Sequence, residues 1–304
     1  MGRVTVAIPT ARRAGSLRRL LAALPAALDG AAADVVVVDN DPREPVQGVV
    51  AAAPLPVRYL VEPQPGSAFA RNLAVAEAGT ELIAFLDDDV VPHPGWLAAL
   101  TAAMTDDVVA AGGPVELDPL APRPPWFRDA GIGGYVSAHD LGDEARDLVA
   151  GEYLLSANAV FRTEALRAVG GFDPRLGPRP GVQLVADDVH VVRELQRAGG
   201  RVVWQPTAAV THELPAERTS RRWLLRRAYL QGRSDWLLDE DVLRRRRAGG
   251  ARVALSWLES ELAARRDDGL SRRDVRFHLA TDVARTLGAL RQGLGWRGAR
   301  APTD

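Results

Sequence analysis

The feature that most constrains this chain is Leu82-Ile83-Ala84-Phe85-Leu86-Asp87-Asp88-Asp89, an unbroken apolar run ending in three consecutive carboxylates. A short apolar run of this kind reads as a strand buried on both faces, as in the middle of a parallel sheet. Three adjacent aspartates repel one another unless a cation or strong hydrogen-bond donors sit among them. Open α/β sheets gather their ligands at the carboxyl ends of the strands, so the triplet reads as a divalent-metal site. Mg²⁺ commonly takes one or two carboxylates and completes its shell with waters and substrate phosphates. The competing reading of the triplet alone is an acidic loop or helix cap.

The surrounding sequence repeats a strand–helix alternation. Residues 3–8, Val35 to Val38 and Val57 to Val61 read as strands. Between them, Leu17, Leu20, Leu21 and Leu24 have helical spacing behind Ser16 as N-cap, and a weaker helix falls near 44–52. Pro65-Gly66-Ser67 opens a further helix that ends at Gly79. This order predicts a doubly wound, mostly parallel sheet flanked by helices.

A helix from Pro94-Gly95-Trp96 and a strand at 108–113 follow. Residues 114–150, with Pro119, Pro122, Pro124, Pro125, Trp126 and Phe127, read as a long irregular connection, and such connections are usually functional or disordered. Order resumes at 153–161, then a helix at 163–168, a Gly/Pro loop at 177–181, and a helix starting at Ala186-Asp187-Asp188. Short strands at 201–204 and 208–212 complete a domain spanning 1–214. From 215 onwards Trp223/Arg226/Arg227/Leu230, Val253/Leu255/Leu258/Leu262 and Val275/Leu279/Val283/Leu287 have the spacing of amphipathic helices, so 215–304 forms a helical C-terminal extension.

Composition removes several functional classes. With no Cys among 304 residues, a disulfide framework, a Cys-ligated zinc and a thiol nucleophile are excluded. The chain shows no basic-then-apolar leader and no apolar run near the ~18 residues of a membrane span, so a soluble, cytoplasmic protein is expected. Charge is uneven: residues 215–304 carry 20 Arg against 12 acidic residues, net +8, and the rest 18 against 27, net −9. The basic extension would suit an anionic membrane surface, an acidic partner or a homodimer contact. A solvated helical surface is the plainer reading, for the Arg244 to Arg247 run as well. No nucleic-acid partner is expected.

Taken together, the motifs resemble glycosyltransferase family 2, the inverting sugar-nucleotide transferases of GT-A fold. They are Val6-Ala7-Ile8-Pro9-Thr10, Val38-Asp39-Asn40, Ala70-Arg71-Asn72, Ala84-Phe85-Leu86-Asp87-Asp88-Asp89, Asn158-Ala159-Val160-Phe161-Arg162, Gly170-Gly171-Phe172-Asp173, Asp187-Asp188 and Val210-Thr211-His212-Glu213. They occur in the family's order over residues 3–213, about seven tenths of the chain. The resemblance implies a Rossmann-like GT-A sheet and a nucleoside-diphosphate-sugar donor, with UDP favoured over GDP or dTDP. It also implies a Mn²⁺ or Mg²⁺ cofactor and a small-molecule, glycan or lipid-linked acceptor.

Residue by residue, it puts Pro9 and Thr10 at the donor and Asp39 on a base NH or ribose hydroxyl; the alternative for Asp39 is a strand-end turn former. Arg71 would serve a phosphate or the acidic cluster, or else form a structural ion pair. Asp89 is the metal ligand, Asp87 contacts metal or ribose, Asp88 contacts donor sugar or metal, and His212 completes the metal site. Asp188 is the general base, its carboxylate favoured by a helix N-terminus. The family's usual Glu-Asp pair is here Asp187-Asp188, which leaves open what the shorter Asp187 holds. Trp126 and Asp187 are acceptor-side candidates. A processive synthase would add membrane helices and a Gln-x-x-Arg-Trp motif, and neither is present. The alternative from another class is a catalytically inactive sugar- or nucleotide-binding module of the same fold.

Overall fold

Valine-rich β-branched runs favour strands, and here they build one large sheet. The computed structural model describes residues 3–127, 132–149, 151–179, 182–238 and 272–296. The helix expected around Val253 to Leu262 and the Arg244 to Arg247 run lie outside the described residues. In chain order the elements are β1 Val4–Thr10, α1 Ala14–Leu28, β2 Ala33–Asp39, α2 Gln47–Ala51, β3 Val57–Val61, α3 Ser67–Glu77 and β4 Leu82–Leu86. Next come β5 Val90–Pro92, α4 Trp96–Ala102, β6 Val108–Gly112, β7 Val115–Leu117, β8 Arg146–Asp147, β9 Asn158–Arg162 and α5 Thr163–Ala168. The chain continues with β10 Pro178–Arg179, β11 Val182–Gln183, α6 Asp187–Arg197, β12 Arg201–Trp204, β13 Val210–His212, α7 Arg221–Leu238 and α8 Arg272–Trp296.

The main sheet has the order β3-β2-β1-β4-β9-β6-β12-β8. Its pairs are parallel except those of β9 with β4 and β6 and of β8 with β12. From β1 the chain winds outward through β2 and β3, then returns to lay β4 on the opposite side of β1. The crevice at the carboxyl ends of β1 and β4 is thus a topological switch point, where such sheets bind ligands. The acidic triplet follows β4 directly.

Alternation along each strand feeds two apolar cores. Val6, Ile8, Val35, Val37, Ala84 and Leu86 pack with Leu17, Leu20, Leu21 and Leu24 of α1 on one face. Ala7, Val36, Val38, Ile83 and Phe85 pack with Ala70, Ala74, Phe161 and Phe172 on the other. Burial on both faces is why these strands read as unbroken apolar runs rather than alternating ones. The expected cap of α1 is a correction: the helix begins at Ala14, and the Ser16 hydroxyl instead donates to Glu213 at 2.9 Å.

Three asparagines hold the loops around the crevice. Asn40 Nδ2 donates to the Glu62 and Gln64 carbonyls, and its Oδ1 accepts from Gly66 N. Asn72 exchanges two 2.8 Å bonds with the backbone of Phe172. Buried Asn158 accepts from Trp96 Nε1 and donates to the Pro114 and Ala208 carbonyls, fixing the segment that enters β13. A second sheet, β5-β13-β7, pairs β13 antiparallel to β5 with His212 opposite Val90. The stretch 114–150, expected to be irregular, contributes β7, a 3₁₀ turn at Gly133–Val136 and β8.

The chain divides into two compact units: residues 1–121, 137–183 and 187–214, and residues 122–136, 184–186 and 215–304. Within the second, α7 and α8 cross backbone to backbone at Gly232 and Gly288. A Cβ on Gly232 would stand 1.7 Å from the Arg285 carbonyl oxygen, and one on Gly288 1.9 Å from that of Tyr229. This crossing corrects the expected Val275/Leu279/Val283/Leu287 stripe: Val283 and Leu287 are more than half exposed, while Phe277, His278, Thr281 and Ala289 are buried. Among the described residues no helix is long and apolar enough to cross a membrane.

Candidate active site

Thr10 and Asp39 are register partners at the carboxyl ends of β1 and β2, and the triplet leaves β4 beside them. Asp88 and Asp89 are both buried. Thr10 Oγ1 donates to Asp88 Oδ2 at 2.7 Å, so Thr10 reaches the acidic cluster through its hydroxyl, while Pro9 is buried within β1. Arg13, which precedes α1, places one guanidinium nitrogen, Nη1, 2.9 Å from Asp88 Oδ1 and 2.6 Å from Asp89 Oδ2. Burial pushes the Asp88 carboxyl up to about 6, against the opposing pull of Arg13. Burial alone would lower the Arg13 pKa, but Asp89 and Asp88 more than reverse that and raise it.

The antiparallel pairing of β13 with β5 sets His212 opposite Val90, the residue after the triplet. Its Nε2 lies 3.5 Å from Asp89 Oδ1, and the imidazole is almost fully buried. Among the described residues no three His, Asp or Glu side chains gather to hold a metal by themselves. Asp89 and His212 do converge, one carboxylate oxygen and one imidazole nitrogen. Two protein donors fit a divalent ion whose shell is completed by waters and donor phosphates.

Arg71 is the hub between this cluster and α6. It is buried on α3, donating from Nη2 to Asp87 Oδ1 and from Nη1 to Asp187 Oδ2, both at 2.7 Å. Its guanidinium also lies 5.5 Å from the Phe172 ring centroid. Burial would lower its pKa, but Asp87 and Asp187 overcome that and raise it. The planar fork is suited to this divided role, which a point-charge ammonium could not fill. Of the readings open to Arg71, the structure realises the bridge within the acidic cluster. It also answers what the shorter Asp187 holds: this buried carboxylate takes Arg71 and, at 3.3 Å, Ser67 Oγ.

Asp188, the second residue of α6, receives no guanidinium hydrogen bond among the described residues; its Oδ1 accepts from Val189 N at 2.8 Å. Burial, then the charge of Asp187, push its carboxyl up to about 7, against the pull of Arg71. The expected helix-dipole stabilisation of the carboxylate is therefore outweighed by desolvation.

Two expected site residues have internal partners. Asp39 has no exposed surface, and its carboxylate accepts from Asp41 N at 3.1 Å, Val46 N at 3.0 Å and Tyr59 Oη at 2.7 Å. These bonds build the turn after β2. Burial, together with this bond to Asp39, pushes the Tyr59 phenol up to about 12. Trp126 lies in the second unit, its ring 4.8 Å from Phe277 and under the Arg221 guanidinium at 4.9 Å. There it is part of an aromatic–cation stack. Phe127 and Trp204 are core residues. Arg13 is the site residue that the motif reading passed over; its signal was a basic residue three positions beyond a strand end that faces an acidic triplet.

Comparison with known families agrees with this geometry. The model of Glycosyltransferase like family 2 matches residues 2–230. The chain belongs to this family. It is 33% identical over 235 residues to the pre-mycofactocin glycosyltransferase of Mycobacterium tuberculosis, covering 75% of this chain and 46% of that protein. It is 31% identical over 169 residues to the glucosyl-dolichyl phosphate glucuronosyltransferase of Haloferax volcanii, covering 54% of this chain and 53% of that one. The chain thus spans about half the length of these curated relatives. Among solved structures, a mannosyltransferase of Pyrobaculum calidifontis in complex with GDP-Man and Mn²⁺ superposes with a TM-score of 0.53 at 18% identity, over 99% of this chain and 76% of that one. This family 2 chain therefore has the GT-A fold its sequence predicted.

Proposed function

We propose that this chain is a metal-dependent, inverting glycosyltransferase that moves a sugar from a nucleoside-diphosphate sugar to an acceptor hydroxyl or amine. The observation that carries the reading is Asp188: a carboxyl raised to about 7 beside an acidic, Arg-bridged strand end is suited to general-base work near neutral pH. A catalytically inactive binding module has no use for such a group.

In this reading Asp188 takes the proton of the acceptor as its oxygen or nitrogen attacks the anomeric carbon on the face opposite the leaving diphosphate. Arg71 fixes α6, and with it Asp188, relative to Asp87. Asp89 and His212 would hold Mn²⁺ or Mg²⁺, which when bound would supply Lewis-acid neutralisation of the diphosphate charge. UDP is the favoured donor nucleotide, with GDP and dTDP next. Residues 1–214 form the catalytic region, and acceptor choice falls to 114–150 and to the helical 215–304. The M. tuberculosis and H. volcanii relatives are named for pre-mycofactocin and for a glucosyl-dolichyl phosphate, so small-molecule and lipid-linked acceptors both belong in a screen.

Calorimetric titration of UDP, GDP and dTDP with and without Mn²⁺, on the wild type and Asp89→Ala, tests the reading. One nucleotide should bind only with metal, and the variant should lose that binding. Failure of all three to bind, with metal or without, would overturn it.

A further inference from the structure

The motif reading gave Arg13 no task, yet it is the cation closest to the metal-side carboxylates. Its side chain is 43% exposed, while the Asp88 and Asp89 side chains it touches are 6% and 7% exposed. A single nitrogen, Nη1, spans both carboxylates. Asp89 is therefore shared: Oδ1 faces His212 Nε2, and Oδ2 is held by Arg13. A divalent ion bound between Asp89 and His212 and a guanidinium on the same carboxylate would set two cations on one group. Like charges that close cost free energy. A diphosphate arriving at this strand end offers the guanidinium another anion, and Arg13, anchored by one nitrogen and partly exposed, is placed to turn its fork to it.

We propose that Arg13 couples metal binding to donor binding: it holds Asp88 and Asp89 against the divalent ion until a nucleoside diphosphate draws its guanidinium away. The inference rests on the metal reading above. Binding coupled in this way is reciprocal, so nucleotide tightens metal by the factor by which metal tightens nucleotide.

The test is Mn²⁺ binding by electron paramagnetic resonance on the full chain, alone and with saturating UDP or GDP, for wild type, Arg13→Gln, Arg13→Lys and Arg12→Gln. Arg12 carries the same charge one residue earlier, but its guanidinium pairs with Asp41, at 3.0 Å. In Arg13→Gln, Mn²⁺ should bind about tenfold more tightly without nucleotide, and the nucleotide-induced gain should shrink by about the same factor. Arg13→Lys should keep part of the coupling, and Arg12→Gln all of it. Equal Mn²⁺ affinity and equal nucleotide gain in wild type and Arg13→Gln would overturn the proposal and leave the metal reading standing. So would an Arg12→Gln effect as large as that of Arg13→Gln, because the cause would then be bulk charge. No Mn²⁺ binding by any form, with nucleotide or without, would overturn both.

Discussion

Replacing Asp188 by Asn should cut activity sharply and yet make the protein more stable at alkaline pH. The carboxyl moves from an ordinary 3.8 to about 7 on folding, with burial the largest cause. Between those values the folded chain keeps a proton that the unfolded chain has lost, so stability falls as pH rises through that window. A displacement of about three units corresponds to about 4 kcal/mol at ~1.36 kcal/mol per unit, and this is the ceiling of the effect. Asn keeps the shape and the acceptor for Val189 N without the charge. At pH 8 the variant should therefore withstand more urea than the wild type, by up to that amount, while at pH 4 the two should coincide.

Activity should move the other way. The wild-type kcat/KM should rise through about pH 7 as Asp188 deprotonates. The variant should lose that rising arm and roughly 10²–10⁴-fold in rate, the usual contribution of a general base. Parallel urea midpoints for the two proteins from pH 4 to pH 8 would refute the desolvation argument. A variant that keeps the wild-type pH arm would refute the assignment of the base.

Two further outcomes follow from the packing. Arg71→Ala leaves Asp87 and buried Asp187 without their shared cation, which should cost about 3–5 kcal/mol in thermal unfolding; Arg71→Lys should recover only part, because one ammonium does not span both carboxylates. Gly288→Val would force a Cβ to within 1.9 Å of the Tyr229 carbonyl oxygen, so α7 and α8 must separate. The expected sign is a loss of near-ultraviolet dichroism from the second unit, and an unchanged spectrum would show that the helices do not cross there.

Much of the sheet was legible because its signals are local. Leu82 to Leu86 read as a doubly buried strand, and the helix rows on Leu17 to Leu24 pack where their spacing puts them. The acidic triplet announced the site for the same reason: a charge cluster at a strand end is visible in sequence. Partners were less legible. Asp39 looks in sequence like any ligand-facing strand-end carboxylate, and only the fold reveals that Tyr59, twenty residues on, closes over it. Trp126 stands in a proline-rich loop that suggests an open platform, and only the second unit supplies Phe277 and Arg221 as its neighbours. Val283 and Leu287 keep helical spacing, yet the glycine crossing decides which face of α8 is covered. Each of these turned on a contact made across a long sequence separation.

The site also shows how one carboxylate out of five comes to have a raised pKa. Asp87, Asp88, Asp89, Asp187 and Asp188 meet two arginines, and each arginine is divided between two carboxylates. Arg13 takes Asp88 and Asp89, and Arg71 takes Asp87 and Asp187. Asp188 is the one left with only a backbone donor, so desolvation acts on it without a matching ion pair. Shortening Asp187 relative to the family's glutamate does not break this arrangement, because Arg71 reaches across to it from α3. The raised carboxyl is thus a consequence of how the two cations are shared. Any substitution that frees Arg71 from Asp187 should let it turn to Asp188 and lower that pKa, so Asp187→Asn should shift the rising arm of the pH–rate profile towards acid while leaving the base in place.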